Sequence, residues 1–307
     1  MTDWSWIPPR SLDADLRMQP ANGLDFELVA AGPRRAKRAV LMLHGFPELN
    51  LSWRHQIAFL AERGWRVWAP NLRGYGASSR PEDLAAYRLD ALTADVSALL
   101  SALRTESGAE EIVLMAHDWG GAIAWDAAMR RVRPMDRLVI MNMPHPYGFA
   151  RALRLSRAQR RRSRYIAFFQ LPRLPERLLG ARDALAIRRV FTGMATNAER
   201  FPPEILDIYA RAAQRPGALT AMLNYYRAAV RLRGTMSGRD PVVDIPVLLI
   251  WGTADTALGQ ETLDGIGAYV PHLTRHYLPG ISHWVQQDAP DLVNAHLADW
   301  LETPVPG

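Results

Sequence analysis

Residues 111–130, EIVLMAHDWGGAIAWDAAMR, compress a buried apolar strand, an abrupt turn and a helix opened by two glycines into one short stretch. A chain carrying this unit must run a strand directly into a helix, and the apex of the turn then presents one side chain beyond the sheet. Here that side chain is Asp118. Ala116 and Gly120 flank it in the small-x-nucleophile-x-small pattern of a nucleophile elbow, with His117 and Trp119 between, because bulkier outer residues would collide in so tight a turn. An aspartate that only caps a helix fits the same local pattern, so its partners elsewhere in the chain must decide.

Around this unit, short apolar runs alternate with helical stretches. Strands are expected at 39–43, 66–69, 112–115, 138–141, 247–250 and 274–277, an alternation that argues for an α/β fold with a mainly parallel sheet and helices on both faces. Within 90–104, Leu92, Val96, Leu99, Leu100 and Leu103 form one apolar stripe at helical spacing, and Gly108 supplies the stop. From 146 to 237 the pattern turns entirely helical. We therefore divide the chain into a core domain, 1–145 with 238–307, and a helical cap domain, 146–237, inserted before the last two strands. Ligands of open α/β sheets bind beyond the carboxyl ends of the strands, so a cap seated there closes the site and excludes water.

With 307 residues, 49% of them hydrophobic, the chain can bury a sizeable core. It has no cysteine, which excludes disulfides, thiol catalysis and thiolate metal sites and suits a reducing compartment. The N-terminal MTDWSWIPPR lacks the apolar run of a secretory signal, and the strongest apolar segments are only strand-length. The expectation is a soluble cytoplasmic protein, monomer or homodimer, without stable membrane insertion. The net charge is +6, and the densest basic segment is 151–164, where Arg151, Arg154, Arg157 and Arg160 recur every three residues, as along one side of a helix. A solvated helix face accounts for that spacing, and no recognisable module points to nucleic acid.

Asp118 has candidate partners. His283, in PGISHWVQQDAP, follows the last expected strand and suits a general base, since imidazole titrates near neutrality; a packed loop histidine is the plainer alternative. Asp255, in WGTADTALG, follows the strand at 247–250 and is placed to hold the His283 ring, although a turn residue also fits; Asp244 precedes that strand, at the wrong end of the sheet. The chain order is nucleophile, acid, base. The turn His44-Gly45-Phe46-Pro47 follows an early strand, and the backbone N–H of Phe46 with that of Trp119 would form an oxyanion hole, with Pro47 a candidate for a cis bond. An aspartate nucleophile moves the chemistry to saturated carbon: it displaces a leaving group, forms an alkyl ester, and water then hydrolyses that ester at the carboxyl carbon.

HGFPE at His44, RGYGASS at Arg73, HDWGG at His117, NMPHP at Asn142, LNYYRA at Leu223, WGTAD at Trp251 and GISHW at Gly280 together resemble the α/β-hydrolase-fold epoxide hydrolases over nearly the whole chain. The resemblance implies that two cap tyrosines meet the epoxide oxygen: Tyr165, which begins YIAFFQ, and Tyr226, the second tyrosine of NYYR, with Tyr225 as packing. It implies a small hydrophobic epoxide and water as partners and a vicinal diol as product. No cofactor and no metal are expected, because a carboxylate, a base and backbone donors cover every charge change. HDWGG is shared with haloalkane dehalogenases, the alternative reading of the same Asp-His-Asp set, in which the Trp119 indole would solvate halide. A dehalogenase, however, has no need of paired tyrosines, and Glu48 stands where its second halide ligand would be sought. A ligand-binding member of the fold without turnover is the third reading. Trp53, Phe168, Phe169 and Trp284 are candidates for an apolar pocket wall.

Overall fold

The computed structural model describes residues 6, 12–132, 134–232 and 240–303. Its strands are β1 (Asp15–Ala21), β2 (Leu24–Ala31), β3 (Arg38–Leu43), β4 (Arg66–Pro70), β5 (Glu111–His117), β6 (Arg137–Met141), β7 (Val247–Gly252) and β8 (Leu273–Leu278). They form one sheet in the order β1-β2-β4-β3-β5-β6-β7-β8, parallel from β4 to β8 and antiparallel among β1, β2 and β4. All six expected strands are present, each slightly longer than its apolar run. The hairpin β1–β2 is additional. Its inter-strand turn, Asn22-Gly23, has both residues at positive φ (49° and 73°), the Asn-Gly turn that matches strand twist. β1 is an edge strand, half-exposed and carrying Pro20, so it lacks the apolar run that marks a central strand.

The helices are α1 (Arg54–Ala61), α2 (Leu89–Ser107), α3 (Asp118–Met129), α4 (Pro146–Leu155), α5 (Arg157–Arg162), α6 (Arg164–Phe168), α7 (Leu174–Met194), α8 (Pro203–Gln214), α9 (Ala218–Arg231), α10 (Val285–Asp288) and α11 (Pro290–Leu301). The stripe expected over 90–104 lies on α2, which ends at Gly108 in the left-handed conformation, φ 65°. Successive strand residues alternate between two cores: Ile112, Leu114 and Ala116 of β5 face the side that holds α2 and α3, while Val113 and Met115 face α1 and α11. Helices on both faces thus bury the sheet completely at its centre.

Between β6 and β7 the described chain is helical, from α4 to α9, starting at Pro146 as expected. The expected boundary at 237 and 238 lies outside the described residues. The basic segment departs from expectation. Ser156, at φ −93° and ψ 118°, ends α4 and caps α5 by accepting from the Gln159 N–H at 3.1 Å, so the four arginines do not line one helix. Serine competes for backbone groups and favours such a cap over a helix interior.

The RGYG turn anchors this architecture from below. Arg73 is buried and donates twice to Asp95 of α2, at 2.8 and 2.6 Å, while its carbonyl accepts from the Tyr225 hydroxyl of α9 at 2.8 Å. Burial lifts the Asp95 carboxyl above its usual range despite the adjoining guanidinium. Such a pair contributes little when formed and much when broken. Asp95→Ala strands the buried guanidinium, and urea unfolding is expected to show a loss of about 3 kcal/mol or more.

Candidate active site

Asp118 opens α3 with φ 47°, left-handed backbone that a non-glycine residue adopts rarely. Two glycines permit the close packing around it. A Cβ on Gly45 would lie 2.3 Å from the Asp118 Cβ, and one on Gly120 would lie 2.3 Å from the Leu43 carbonyl oxygen. The turn after β3 is therefore pressed against the elbow, and the Phe46 N–H donates to Asp118 Oδ1 at 2.7 Å. The Phe46–Pro47 peptide is cis, as the tight turn led us to expect. Trp119 lies in the first turn of α3, where N–H groups lack intrahelical acceptors, and its ring packs edge-on against Tyr225 and Tyr226.

His283 and Asp255 come from the two loops expected. The His283 Nδ1–H donates to Asp255 Oδ2 at 2.6 Å, and Nε2 lies 3.6 Å from Asp118 Oδ2. That second separation is beyond hydrogen-bond range, so the ring is aimed at Asp118 without being bound to it. Asp255 is tied down on all sides: Asn142 Nδ2 donates to its Oδ2 at 2.8 Å, and the N–H groups of Ala257 and Leu258 donate to its Oδ1 at 2.7 and 2.8 Å. Burial alone would raise both carboxyls, yet the neighbouring His283 holds each below the usual range, helped at Asp118 by His117 and the Phe46 N–H. Burial works against the charged imidazole too, and the two carboxylates overcome it, raising His283 to about 10.

Behind the elbow sits a second buried hub. Glu48 Oε2 accepts from the Gly45 N–H at 3.0 Å and lies 2.7 Å from His117 Nδ1, while its Oε1 accepts from the Gln286 and Gln287 amides at 2.9 and 2.8 Å. His117 Nε2–H in turn donates to the His283 carbonyl at 2.9 Å. Burial would push Glu48 up, but His117 and the other partners outweigh it and keep it lowered. One carboxylate therefore links the turn after β3, the elbow and the loop bearing His283. His44 stays out of this hub: its Nδ1–H donates to the Gly45 carbonyl at 2.9 Å, its Nε2 accepts from the Leu72 N–H at 3.0 Å, and burial lowers it to about 4. It is a neutral brace for the turn.

Tyr165 of α6 and Tyr226 of α9 lie with Asp118 and His283 on the wall of one cavity of about 300 Å³. Their rings meet edge-on, 5.8 Å apart, and Tyr226 packs on Phe46. Burial, reinforced by the Asp118 charge, pushes both phenols well up, so both keep their protons at neutral pH. The two segments that carry them grip each other: Gln170 Nε2 donates to the Tyr226 carbonyl at 3.2 Å, and Arg227 Nε donates to the Phe169 carbonyl at 2.9 Å. Phe169 and Trp284 line the cavity, whereas Trp53 is buried in the core on the α1 side of the sheet and Phe168 packs against the opposite core.

Sequence reasoning did not assign roles to Asn142, to the Glu48–His117 pair or to Arg162, which also lines the cavity. The first three lie inside the motif words NMPHP, HGFPE and HDWGG, and position within a word was the available signal. Arg162 had none, since it reads as one more arginine of a basic run.

The raised His283 carries a linkage consequence. Because the folded protein binds that proton more tightly than the unfolded chain, the contribution is full below the ordinary value of 6.5 and disappears as pH rises towards about 10. Thermal melts of wild type and His283→Gln across this range are expected to converge at the alkaline end. A gap that is constant with pH would contradict the raised value.

A model of the alpha/beta hydrolase fold matches residues 38–290. The AB hydrolase superfamily protein YfhM of Bacillus subtilis is 34% identical over 281 residues, covering 92% of this chain and 96% of that protein. Epoxide hydrolase 4 of Mus musculus is 39% identical over 287 residues, covering 92% of this chain and 77% of that protein. A Bacillus megaterium epoxide hydrolase solved in complex with an inhibitor superposes with a TM-score of 0.83 at 29% identity, over 94% of this chain and 100% of that chain. On these matches, the chain belongs to the epoxide hydrolase family of the α/β hydrolase fold.

Proposed function

We propose that the protein hydrolyses a small hydrophobic epoxide to a vicinal diol through an alkyl ester on Asp118. The observation that carries this reading is the shared cavity wall, where two protonated phenols face an ionised carboxylate. An epoxide's leaving oxygen stays on the product and develops alkoxide charge, so it needs donors on the side opposite the nucleophile. Tyr165 and Tyr226 supply them. Halide departure makes no such demand, and Glu48, saturated by its four partners, is not free to receive a halide.

In the first step Asp118 attacks one ring carbon, the C–O bond breaks, and a phenol passes its proton to the alkoxide. The phenolate, strongly basic in its buried setting, regains a proton from the charged His283, which leaves that ring neutral. Esterification makes Asp118 neutral, which removes one of the two carboxylates that favour the charged imidazole. His283, still oriented by Asp255, can then act as base: Nε2 takes a proton from water as that water attacks Asp118 Cγ. The oxyanion accepts from the Phe46 N–H, already 2.7 Å from Oδ1, and from the Trp119 N–H. Collapse releases the diol and restores the carboxylate. The helices α4 to α9 serve in this scheme as a cap, since they bring both tyrosines over the nucleophile and exclude bulk water.

His283→Gln is expected to alkylate but not to turn over, so its intact mass should rise by that of the epoxide, while Asp118→Asn gains no mass. Tyr165→Phe and Tyr226→Phe should each lower kcat about a hundredfold. In heavy-oxygen water, a first-turnover diol that already carries the label would mean direct attack by water and would sink the ester.

A further inference from the structure

The geometry points to Arg162 as the residue that selects, among epoxides, those carrying a carboxylate on the chain beyond the ring. This rests on the epoxide reading above and adds a substrate class to it. Among the described residues, Arg162 is the one arginine or lysine on the cavity wall, which otherwise offers Phe46, Phe169, Val190 and Met194 to an apolar chain. The Arg162 side chain is part-exposed there. Among the described residues, the acceptor it meets is Glu261 Oε1, at 2.8 Å, and Glu261 is itself part-exposed and bonded to the Ser156 hydroxyl. The planar guanidinium has five N–H donors in a fork that fits a second carboxylate, so donors remain for a ligand.

The side chain is held in place rather than waving at the rim. One turn earlier on α5, Gln159 donates to the Ala257 carbonyl at 2.9 Å and accepts from the Gly259 N–H at 2.9 Å, pinning the helix to the loop that begins at Asp255. A Cβ on Gly259 would come 2.4 Å from Arg162 Nη1, so the guanidinium rests against bare backbone there. Tyr165 follows three residues later on the same wall. A substrate whose epoxide oxygen meets Tyr165 and Tyr226 therefore directs its other end along a wall that contains a fixed cation.

The surroundings of the Arg162–Glu261 pair carry a net positive charge. Residues 151–164 contain seven arginines and no acidic residue. The acids that reach this segment are Asp264, 3.3 Å from Arg151, and Glu261 on Arg162, whereas Arg160 turns back onto the carbonyls of Leu153 and Arg154. The basic run thus touches the cavity wall through Arg162, and its field favours entry of an anion.

The test compares terminal epoxides whose chain ends in a carboxylate with the matching primary amides, scored as diol formation by wild type, Arg162→Gln, Arg162→Lys and Arg154→Gln. Wild type is expected to favour the carboxylates by roughly tenfold in kcat/KM, a modest figure because Arg162 is part-exposed, with the preference falling as ionic strength rises. Arg162→Gln should bring the ratio to about one and Arg162→Lys should restore part of it. Arg154→Gln removes the same formal charge from the same segment outside the cavity wall and should keep the ratio within about twofold of wild type. If Arg162 merely straps α5 to the core, its loss moves both substrates together and the ratio persists, which overturns the proposal. A wild-type ratio near one also overturns it. Diol from the amides without a carboxylate preference defeats this inference alone; diol from neither series defeats the epoxide reading on which it stands.

Discussion

The contact between Gly45 and Asp118 is the constraint on which the remaining arrangement rests. An aspartate in left-handed backbone at the head of α3 leaves its carboxylate standing above the sheet, and only a glycine opposite lets the preceding turn come close enough for the Phe46 N–H to reach it. The same approach fixes the direction of attack. The N-terminus of α3 beneath the carboxylate favours its negative charge, and the turn adds a fixed donor, so the ionised form is prepared before any substrate arrives. Moving either backbone by one Cβ radius would separate the nucleophile from its donor.

Two buried carboxylates then hold the parts of the site that come from distant stretches of chain. Asp255 is immobilised by Asn142 and two N–H groups, and it passes that rigidity to the His283 ring through Nδ1. Glu48 and His117 grip the backbone on the other side, so the loop bearing His283 is held through its carbonyl as well as through its ring. Each hub satisfies its charge fully, which is the condition under which buried ions specify geometry without stranding a group.

The tyrosines depend on a different device. They belong to α6 and α9, short and long helices with no shared sheet register to align them. The Gln170 and Arg227 bonds to each other's main chain do that alignment, and Arg227 is locked further by Glu176 at 2.7 Å. This explains physically why the glutamine and arginine accompany the tyrosines in the two segment words. The phenols themselves lie on the cavity wall with Asp118 and His283.

Much of this was legible in the chain. Continuous apolar runs decided the central strands because those strands are buried on both faces, and the order Asp118, Asp255, His283 decided which loops must meet, because each follows a strand at the same end of the sheet. The edge hairpin β1–β2 was missed because its half-exposed first strand lacks that apolar run, although Asn22-Gly23 marked the turn. The break at Ser156 was missed because a threefold spacing of arginines says nothing about a cap. Tertiary structure alone decided what holds each charge: Asn142 reaches Asp255 across 113 residues and Gln286 reaches Glu48 across 238. Strand and turn propensities act over a few neighbours and can be read locally, whereas a buried carboxylate's partners are chosen by the packing of the whole sheet, as is the wall on which Arg162 comes to lie.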